Sequence, residues 1–412
     1  MARQNTRRKG VLFSVSHATI LQNLPTSEKG TMETQHPIPL FDELVQPAAT
    51  ATTPAPDLLY LPRAALLDDL VQALAETTLA AVYAQIERIR AALDQAMTPP
   101  PASANTPAMI AMQRTHLHEA LDQIVAAHTT ERAHYYIERL IKSISEERTS
   151  AINDINLNRW KEYDDILTDS LWVIERRDSS GAHMADYWGN FIPQIPHQMM
   201  RRYTKPGDWV LDTFAGSGTT LIEGQRLGRN TLGIELQAAV AAAARQRIAS
   251  EPNPYGTQAE IVVSDSTRMD YPALLRAYGR ETVQLVLMHP PYFDIIKFSD
   301  DPHDLSNAPS LDAFLESMSQ LAAQVQPVLE RGRYLALVIG DKYVKGEWIP
   351  LGFQTMQAVQ QQGFMLKSIV VKNFEETTGK RTQQQLWRYR ALMGGFYIFK
   401  HEYIFVFQKP KR

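Results

Sequence analysis

From Gly207 to the end of the chain, short apolar runs alternate with segments in which apolar residues recur every three or four positions. The first pattern is typical of buried strands and the second of helices with one apolar face. Their alternation predicts an α/β fold, in which a doubly wound, mostly parallel sheet is covered by helices on both faces. We predict seven strands, the last two forming an antiparallel pair, near residues 209–214, 230–236, 259–265, 283–289, 333–340, 365–372 and 402–408.

An N-terminal region has a helical pattern with no strands between its segments. Apolar residues fall at spacings of three and four along two stretches, which Pro99, Pro100 and Pro101 separate. The simplest interpretation is a hairpin of two antiparallel helices. The periodic residues are Leu67, Leu70, Leu74, Leu79, Val82, Ile86, Ile89 and Leu93, followed by Leu117, Leu121, Ile124, His128, Ile137, Leu140 and Ile144.

The chain therefore divides into three parts. Residues 1–57 are rich in Thr, Ala, Pro and Gln and carry little periodicity, which predicts a flexible N-terminal segment. Residues 58–150 form the helical hairpin region, and residues 151–412 form the α/β domain. The first ten residues are basic, and we interpret them as part of a disordered tail rather than as a signal or transit peptide.

The amino-acid composition excludes several classes of site and of protein. The chain has 412 residues and no cysteine, which excludes disulfides, cysteine-ligated zinc and iron–sulfur clusters, and no metal site is predicted. The formal net charge is −3, so a contact with nucleic acid requires a local cationic face. No apolar run approaches the roughly 18 residues that span a bilayer. We expect a cytoplasmic protein without membrane contact.

The first chemical motif is WVLDTFAGSGTT at residues 209–220. It predicts an apolar strand that ends in an acid, followed by a glycine-rich turn that opens a helix, an arrangement that binds a nucleoside cofactor at a strand's carboxyl end. No lysine follows Gly218, so the turn differs from the phosphate-binding loop of triphosphate enzymes. Glu235 ends the next strand, about twenty residues on, where an acid accepts hydrogen bonds from ribose hydroxyls.

The second motif is VLMHPPY at residues 286–292, another strand that ends in two prolines and an aromatic residue. With both motifs, in this order and at this spacing, the chain resembles the DNA amino-methyltransferases. These enzymes transfer a methyl group from S-adenosylmethionine to the exocyclic amine of adenine or cytosine. The resemblance covers roughly residues 155–412 and implies the Rossmann-like methyltransferase fold. The missing cysteine fits, because methylation at carbon 5 of cytosine needs a cysteine nucleophile.

The resemblance also implies a cofactor site. The glycine-rich turn would cradle the methionine part of the cofactor, with Asp212 facing its ammonium and Asp265 contacting its adenine amine. A segment before the first strand, YWGNFIPQIP at residues 187–196, resembles the family's element that closes over the methionine end. The residues that we expect to bind the cofactor are Asn190, Phe191, Asp212, Phe214, Gly216, Ser217, Gly218, Thr219, Glu235 and Asp265.

The family's Pro-Pro motif holds the target base, which implies catalytic roles for His289, Pro290, Pro291 and Tyr292. An exocyclic amine is a poor nucleophile, so acceptors must hold its hydrogens as the methyl group approaches. By the resemblance, His289 and the Pro290 carbonyl are those acceptors, and Tyr292 stacks on the flipped base. The residues that follow, 293–309, are interpreted as a flap that closes on DNA.

His289 departs from the family pattern, because Asp, Asn or Ser usually occupies its position. An imidazole accepts a hydrogen bond only when it is neutral and in the right tautomer, and its ordinary pKa is about 6.5. Cytosine N4 and adenine N6 therefore both stay open as targets. The absence of Asp favours cytosine slightly.

A basic insert near residues 374–400 separates the last two predicted strands and is longer than a hairpin turn requires. Its cations alternate with aromatic rings, which favours contact with phosphates and bases over a merely solvated loop. The residues that we expect to bind DNA are Lys380, Arg381, Trp387, Arg388 and Arg390.

Several alternatives follow from the same patterns. The helical hairpin is interpreted as a packing or homodimerisation element in preference to a DNA-recognition domain. Double-stranded DNA is the expected partner, and a restriction or defence-system partner stays open. An RNA guanine-N2 methyltransferase and a non-catalytic subunit that retains the fold are the rival functions.

Overall fold

The computed structural model describes residues 58–94, 108–184, 189–373 and 384–412. The segment 1–57, predicted to be flexible, lies outside this part of the chain. No helix in the described ranges has the length and apolarity that crossing a membrane requires.

The strands, in chain order, are β1 (Leu58–Pro62), β2 (Met109–Gln113), β3 (Leu171–Trp172), β4 (Trp209–Asp212), β5 (Asn230–Glu235), β6 (Ala259–Val263), β7 (Val283–Met288), β8 (Leu329–Ile339), β9 (Lys342–Val344), β10 (Glu347–Ile349), β11 (Met365–Asn373) and β12 (His401–Gln408). The α-helices are α1 (Arg63–Ala75), α2 (Leu79–Asp94), α3 (Arg114–Val125), α4 (Thr130–Ser145), α5 (Gln194–Tyr203), α6 (Thr219–Leu227), α7 (Ala238–Ser250), α8 (Tyr271–Ala277), α9 (Leu311–Val328), α10 (Leu351–Gln360) and α11 (Gln384–Gly394).

The large sheet has the order β3-β11-β12-β8-β7-β4-β5-β6. All seven predicted strands are present. The sheet has an eighth strand that the sequence analysis missed, the two-residue β3, which runs parallel to β11 at one edge. β12 is antiparallel to both of its neighbours, as predicted for the last pair, and the other pairings in the sheet are parallel. A strand of two residues is too short to show an alternation of apolar and polar residues, so the sequence pattern did not predict it.

Alternate residues of the central strands point to opposite faces of the sheet. Leu211 of β4 packs in a core with α8, α9 and α10, whereas its neighbour Val210 packs in a core with α5. A third group of buried residues joins α6 and α7 to β6. Because a doubly wound sheet is buried on both faces, its strands are apolar throughout, and this explains the continuous apolar runs in the sequence.

The N-terminal region is more elaborate than the predicted pair of helices. Each predicted helix is two helices, α1 with α2 and α3 with α4, and each pair is preceded by a strand. β1 and β2 pair as a two-stranded antiparallel ribbon. The prediction of a hairpin of two long helices is therefore wrong in detail, although the periodic residues that it used lie in these helices, except for His128.

The two strand–helix–helix units are copies of one pattern, fifty-one residues apart. Tyr60 pairs with Ala111 at the centre of the ribbon, so equivalent residues face each other there. The copies also share reciprocal hydrogen bonds. The Tyr83 hydroxyl donates to the Ala127 carbonyl, and the equivalent ring, His134, contacts the Glu76 carbonyl through Nε2 at 2.9 Å. The region is thus a module with an approximate two-fold axis through the ribbon.

The two copies share one core, with equivalent buried residues at matching positions. These pairs are Leu66 and Leu117, Leu70 and Leu121, Ala73 and Ile124, Val82 and Ala133, Ile86 and Ile137, Ile89 and Leu140, and Leu93 and Ile144. Since neither unit covers its own apolar face, the two units bury their faces against each other.

Equivalent core substitutions should cost equivalent stability. Ile86→Ala and Ile137→Ala each remove a fully buried side chain, and each should lower the free energy of unfolding by about 2–5 kcal/mol. Urea unfolding of the full chain measures both. The exposed Val71→Ala serves as the control and should stay within about 0.5 kcal/mol of the parent protein. A large loss for one isoleucine with none for the other would contradict the shared core.

Candidate active site

A cavity of about 530 Å³ lies at the carboxyl ends of the central parallel strands. Chain order reverses between β4 and β7, which makes this edge the topological switch point where doubly wound sheets bind ligands. Loops after β4, β5, β6 and β7 contribute to its wall. Of the residues expected to bind cofactor or base, the wall contains Asn190, Phe191, Phe214, Gly216, Thr219, Glu235, Asp265, His289, Pro290, Pro291 and Tyr292.

Three residues expected to bind the cofactor, Asp212, Ser217 and Gly218, do not belong to the cavity wall. Asp212 is buried, and its Oδ1 accepts a hydrogen bond from the Phe214 amide at 2.9 Å. Burial raises the pKa of Asp212 to about 6. Its carboxylate therefore braces the turn from behind. Its contact with a ligand ammonium stays a prediction.

Gly218 has a structural role that differs from the expected ligand approach. Its φ of +86° lies in the left-handed region, which favours glycine, and it caps the start of α6. A Cβ added there would meet Ile248 of α7 at 3.1 Å. A larger residue at 218 would therefore disturb helix packing before it filled the cavity.

Glu235, at the end of β5, and Asp265, which follows β6, lie in the cavity wall and accept hydrogen bonds from nearby backbone amides. Glu235 accepts hydrogen bonds from the Gly216 amide at 3.0 Å and the Gln237 amide at 2.9 Å. Asp265 Oδ1 accepts from the Thr267 amide and hydroxyl at 2.8 and 2.7 Å. Burial raises the pKa of Glu235. Each carboxylate has about four acceptor positions, so both retain capacity toward a ligand.

The segment before α5 closes one side of the cavity. The Thr219 hydroxyl at the start of α6 donates to Asn190 Oδ1 at 2.7 Å, which ties this segment to the glycine-rich turn. A Cβ added to Gly189 would meet the Phe298 ring at 2.7 Å, so the segment touches the loop after the Pro-Pro motif. Tyr187 and Trp188 lie outside the described residues.

His289 occupies the cavity wall directly after β7. Its ring lies edge-on to Phe191, with centroids 4.8 Å apart and planes at 67°, so the expected base shelf and cofactor wall meet here. Burial lowers the pKa of His289 to about 4, because the charged ring loses its hydration. The ring is therefore a neutral acceptor at neutral pH, and the ordinary value near 6.5 assumed from the sequence does not apply.

The cavity wall contains an ion pair that the sequence analysis missed. Lys372 Nζ lies 3.0 Å from Glu402 Oε1, and both side chains are about 5% exposed. The two residues face each other directly across the β11–β12 ladder. Each is a charged residue inside an otherwise apolar strand. That departure from the apolar pattern is the feature of the sequence that could have revealed the ion pair. Glu402 Oε2 also accepts a hydrogen bond from the Tyr292 hydroxyl at 2.7 Å.

The loop interpreted as a flap is ordered by its own hydrogen bonds. Asp304 is buried and accepts from the Ser299 hydroxyl at 2.7 Å and the Ser306 amide at 2.9 Å. Phe298, His303 and Asp304 contribute to the cavity wall, which the sequence analysis did not anticipate. The loop sequence has no regular spacing of apolar and polar residues, so the sequence alone does not show that its side chains reach the site.

Within the basic insert, Lys380 and Arg381 lie outside the described residues. Trp387, Arg388 and Arg390 lie on α11, where both arginines are exposed and the Arg390 guanidinium lies 5.2 Å from the Trp387 ring centroid. After α11 the chain packs on the β9–β10 hairpin, with Phe396 stacked on Tyr343 and Phe399 tilted against Trp348. The Lys342 ammonium in that hairpin pairs with Asp294, two residues after Tyr292. These contacts connect the insert to the side of the cavity formed by the Pro-Pro motif.

Comparisons with known proteins find DNA methylases similar to part of this chain. Residues 104–246 match the family model described as DNA methylase, of the N6/N4 type. The match begins and ends earlier than the span expected from the motifs. A type II methyltransferase, M2.DpnII of Streptococcus pneumoniae, is 34% identical over 100 residues, which are 23% of this chain and 34% of that protein. M.MjaII of Methanocaldococcus jannaschii is 42% identical over 73 residues, 18% of this chain and 13% of that protein.

The chain thus matches at most about a third of the length of these two relatives. Among solved structures, TrmN from Thermus thermophilus has 16% identity and a TM-score of 0.34, over 53% of this chain and 49% of that one. This overlap is too partial to add to the assignment.

The sheet order, the glycine-rich turn after β4 and the Pro-Pro-Tyr shelf after β7 have the arrangement of the Rossmann-like methyltransferase fold. The family-model match and the type II relatives support the resemblance of this chain to the DNA amino-methyltransferases.

The lowered pKa of His289 can be tested directly. In ¹⁵N-histidine-labelled protein, the His289 ring should stay neutral as the pH falls from 8 to 5 and take up a proton only near 4. The spectrum of His289→Asn identifies the signal. Protonation of this ring between pH 6 and 7 would contradict the buried, neutral acceptor.

Proposed function

We propose that the protein transfers a methyl group from S-adenosylmethionine to the exocyclic amine of a base in DNA. The observation that carries the proposal is that one cavity joins the glycine-rich turn of β4 to the His-Pro-Pro-Tyr shelf of β7. A cofactor bound on the turn would lie beside an amine held on the shelf. The family-model match and the type II relatives support the same reaction.

The cavity fits S-adenosylmethionine in size and polarity. Its volume of about 530 Å³ lies within the range of roughly 300–1,000 Å³ that is typical of cofactor sites. Glu235 would accept hydrogen bonds from the ribose hydroxyls, and Asp265 would accept from the adenine amine. The turn residues Phe214, Gly216 and Thr219, with Asn190 and Phe191, would enclose the remainder. When bound, the cofactor supplies an electrophilic methyl group on a sulfonium.

The shelf supplies the acceptors that the amine needs. A neutral His289 offers one ring nitrogen, and the Pro290 carbonyl offers a second acceptor. Both would hold amine hydrogens and favour tetrahedral geometry at nitrogen as the methyl group arrives. Pro291 keeps the shelf rigid. The Tyr292 ring is held by its hydroxyl at Glu402 and lies in the wall, where a flipped base would stack.

The target amine is N4 of cytosine or N6 of adenine. We favour cytosine, because position 289 lacks the acid that adenine-specific relatives usually carry there. DNA backbone contact is assigned to α11, which carries exposed arginines and aromatic residues. The residues that follow α11 pack on the β9–β10 hairpin, at the Pro-Pro side of the cavity. The N-terminal module contributes no described residue to the cavity wall, which supports a packing role for it.

The reaction is tested with cofactor labelled in its methyl group, offered double-stranded DNA and transfer RNA in parallel. Label should enter DNA alone, in N4-methylcytosine or N6-methyladenine, which mass spectrometry of the nucleosides distinguishes. His289→Ala should lower transfer by about a hundredfold or more, the scale of losing one positioned acceptor. His289→Asn keeps an acceptor and is the matched control. Label in transfer RNA alone, or parental activity in His289→Ala, would overturn the proposal.

The DNA surface is tested by charge removal. Replacing Arg388 and Arg390 by Ala should weaken DNA binding and reduce the slope of log affinity against log salt by about two, because each phosphate contact contributes about one. Replacing the exposed Arg276 and Arg331, which lie by the amino-terminal edge of the sheet, is the matched control and should leave the slope unchanged. Equal slopes for both variants would remove α11 from the DNA interface.

A further inference from the structure

Four polar side chains form a continuous chain that ends at the base shelf. Lys372 Nζ lies 3.0 Å from Glu402 Oε1, Glu402 Oε2 accepts from the Tyr292 hydroxyl at 2.7 Å, and the Tyr292 oxygen lies 3.3 Å from His289 Nε2. All four residues contribute to the cavity wall. The resemblance assigned roles only to Tyr292 and His289, so the two charged residues are unexplained.

The positions of the hydrogens follow from the order in which these four side chains are hydrogen-bonded. Glu402 forms an ion pair with the Lys372 ammonium, and an ionised carboxylate can only accept hydrogen bonds. The short 2.7 Å contact is typical of a hydroxyl that donates to a carboxylate. Tyr292 keeps its proton, since burial and the adjacent carboxylate raise its pKa. Its single hydrogen therefore points to Glu402, and its oxygen can only accept from His289.

His289 must then carry its hydrogen on Nε2, which leaves a lone pair on Nδ1. This matters because the two neutral tautomers of imidazole present opposite groups to a substrate. With the hydrogen on Nε2, Nδ1 can accept from an amine, whereas the other tautomer would confront the amine with a donor. Among the described residues, His289 makes its hydrogen bond through Nε2, to the Tyr292 oxygen.

We propose that Glu402, held by Lys372 and acting through Tyr292, fixes the tautomer of His289 so that Nδ1 accepts the hydrogen bond of the target amine. Glu402 and Lys372 are positioning residues in this arrangement. The inference rests on the proposed function for the identity of the substrate. The tautomer itself is a property of the protein alone and can be measured without cofactor or DNA.

A nearly isosteric substitution should reverse the tautomer. The Lys372 ammonium can only donate hydrogen bonds, so in Glu402→Gln the amide oxygen should turn toward it. The amide NH₂ then faces Tyr292. The Tyr292 oxygen then accepts and its hydrogen points to His289 Nε2, which moves the ring hydrogen to Nδ1. Adding Lys372→Met frees the amide oxygen for Tyr292 and should restore the hydrogen on Nε2.

The measurement is a long-range ¹H–¹⁵N spectrum of the full chain at pH 7, with the His289 signal identified by its loss in His289→Asn. We expect Nε2–H in the parent, Nδ1–H in Glu402→Gln and Nε2–H again in the double variant. Methyl transfer to DNA should fall at least tenfold in Glu402→Gln and recover in the double variant, while cofactor affinity changes little. A role in folding alone would not produce this reversal.

The inference is overturned by Nδ1–H in the parent protein, or by an unchanged tautomer in Glu402→Gln. If a Glu402 variant fails to fold, Tyr292→Phe keeps the ring and removes the hydroxyl, and a mixture of His289 tautomers is then expected. An unchanged Nε2–H tautomer in Tyr292→Phe also counts against the inference. If the tautomers change as expected but no variant methylates DNA, the proposed function fails and the positioning of His289 stands.

Discussion

The site depends on the parallel pairing of β4 with β7, in which Val210 lies opposite Leu285 and Asp212 opposite Leu287. This register brings the ends of both strands to the same height, although more than seventy residues separate them in sequence. The glycine-rich turn and the Pro-Pro shelf can share one cavity only because both strands run in the same direction. A slip of one residue would turn His289 to the opposite face of the sheet, since side chains alternate along a strand.

Burial then shifts the pKa values of several groups around that cavity. The same loss of hydration lowers the pKa of His289 and raises the pKa values of Asp212 and Glu235. Lys372 and Glu402 in the same wall are paired with each other. The cavity therefore combines a neutral imidazole with an ion pair whose charges compensate each other. This suits the proposed reaction, in which the incoming group carries a positive charge and the nucleophile is a neutral amine.

Most of the sheet could be predicted from the sequence because a doubly wound sheet turns burial directly into apolar runs. The N-terminal module was harder, because its helix breaks contain neither Gly nor Pro. A signal was present all the same: Thr78 and Thr129 occupy equivalent positions, and each accepts a hydrogen bond from an amide three residues on, which starts the second helix of its unit. The sequence Ile86-Glu87-Arg88 recurs fifty-one residues later as Ile137-Glu138-Arg139. A search for internal repeats would have found the duplication that helical periodicity concealed.

The site was predictable where a motif is contiguous and not where it depends on register. His289 and Tyr292 are three residues apart and recognisable together, whereas Lys372 and Glu402 meet only through the antiparallel pairing of β11 with β12, across the basic insert. Because position 289 is a histidine and not Asp, Asn or Ser, the pairing of β11 with β12 also bears on the proposed chemistry. An acid or an amide oxygen accepts a hydrogen bond whatever its neighbours do, but an imidazole accepts only from the nitrogen that lacks a hydrogen. A histidine on the shelf therefore needs a second group that decides where its hydrogen lies. The Glu402 carboxylate, reached through Tyr292, meets that requirement, so the unusual residue and its distant partner are best understood as one unit.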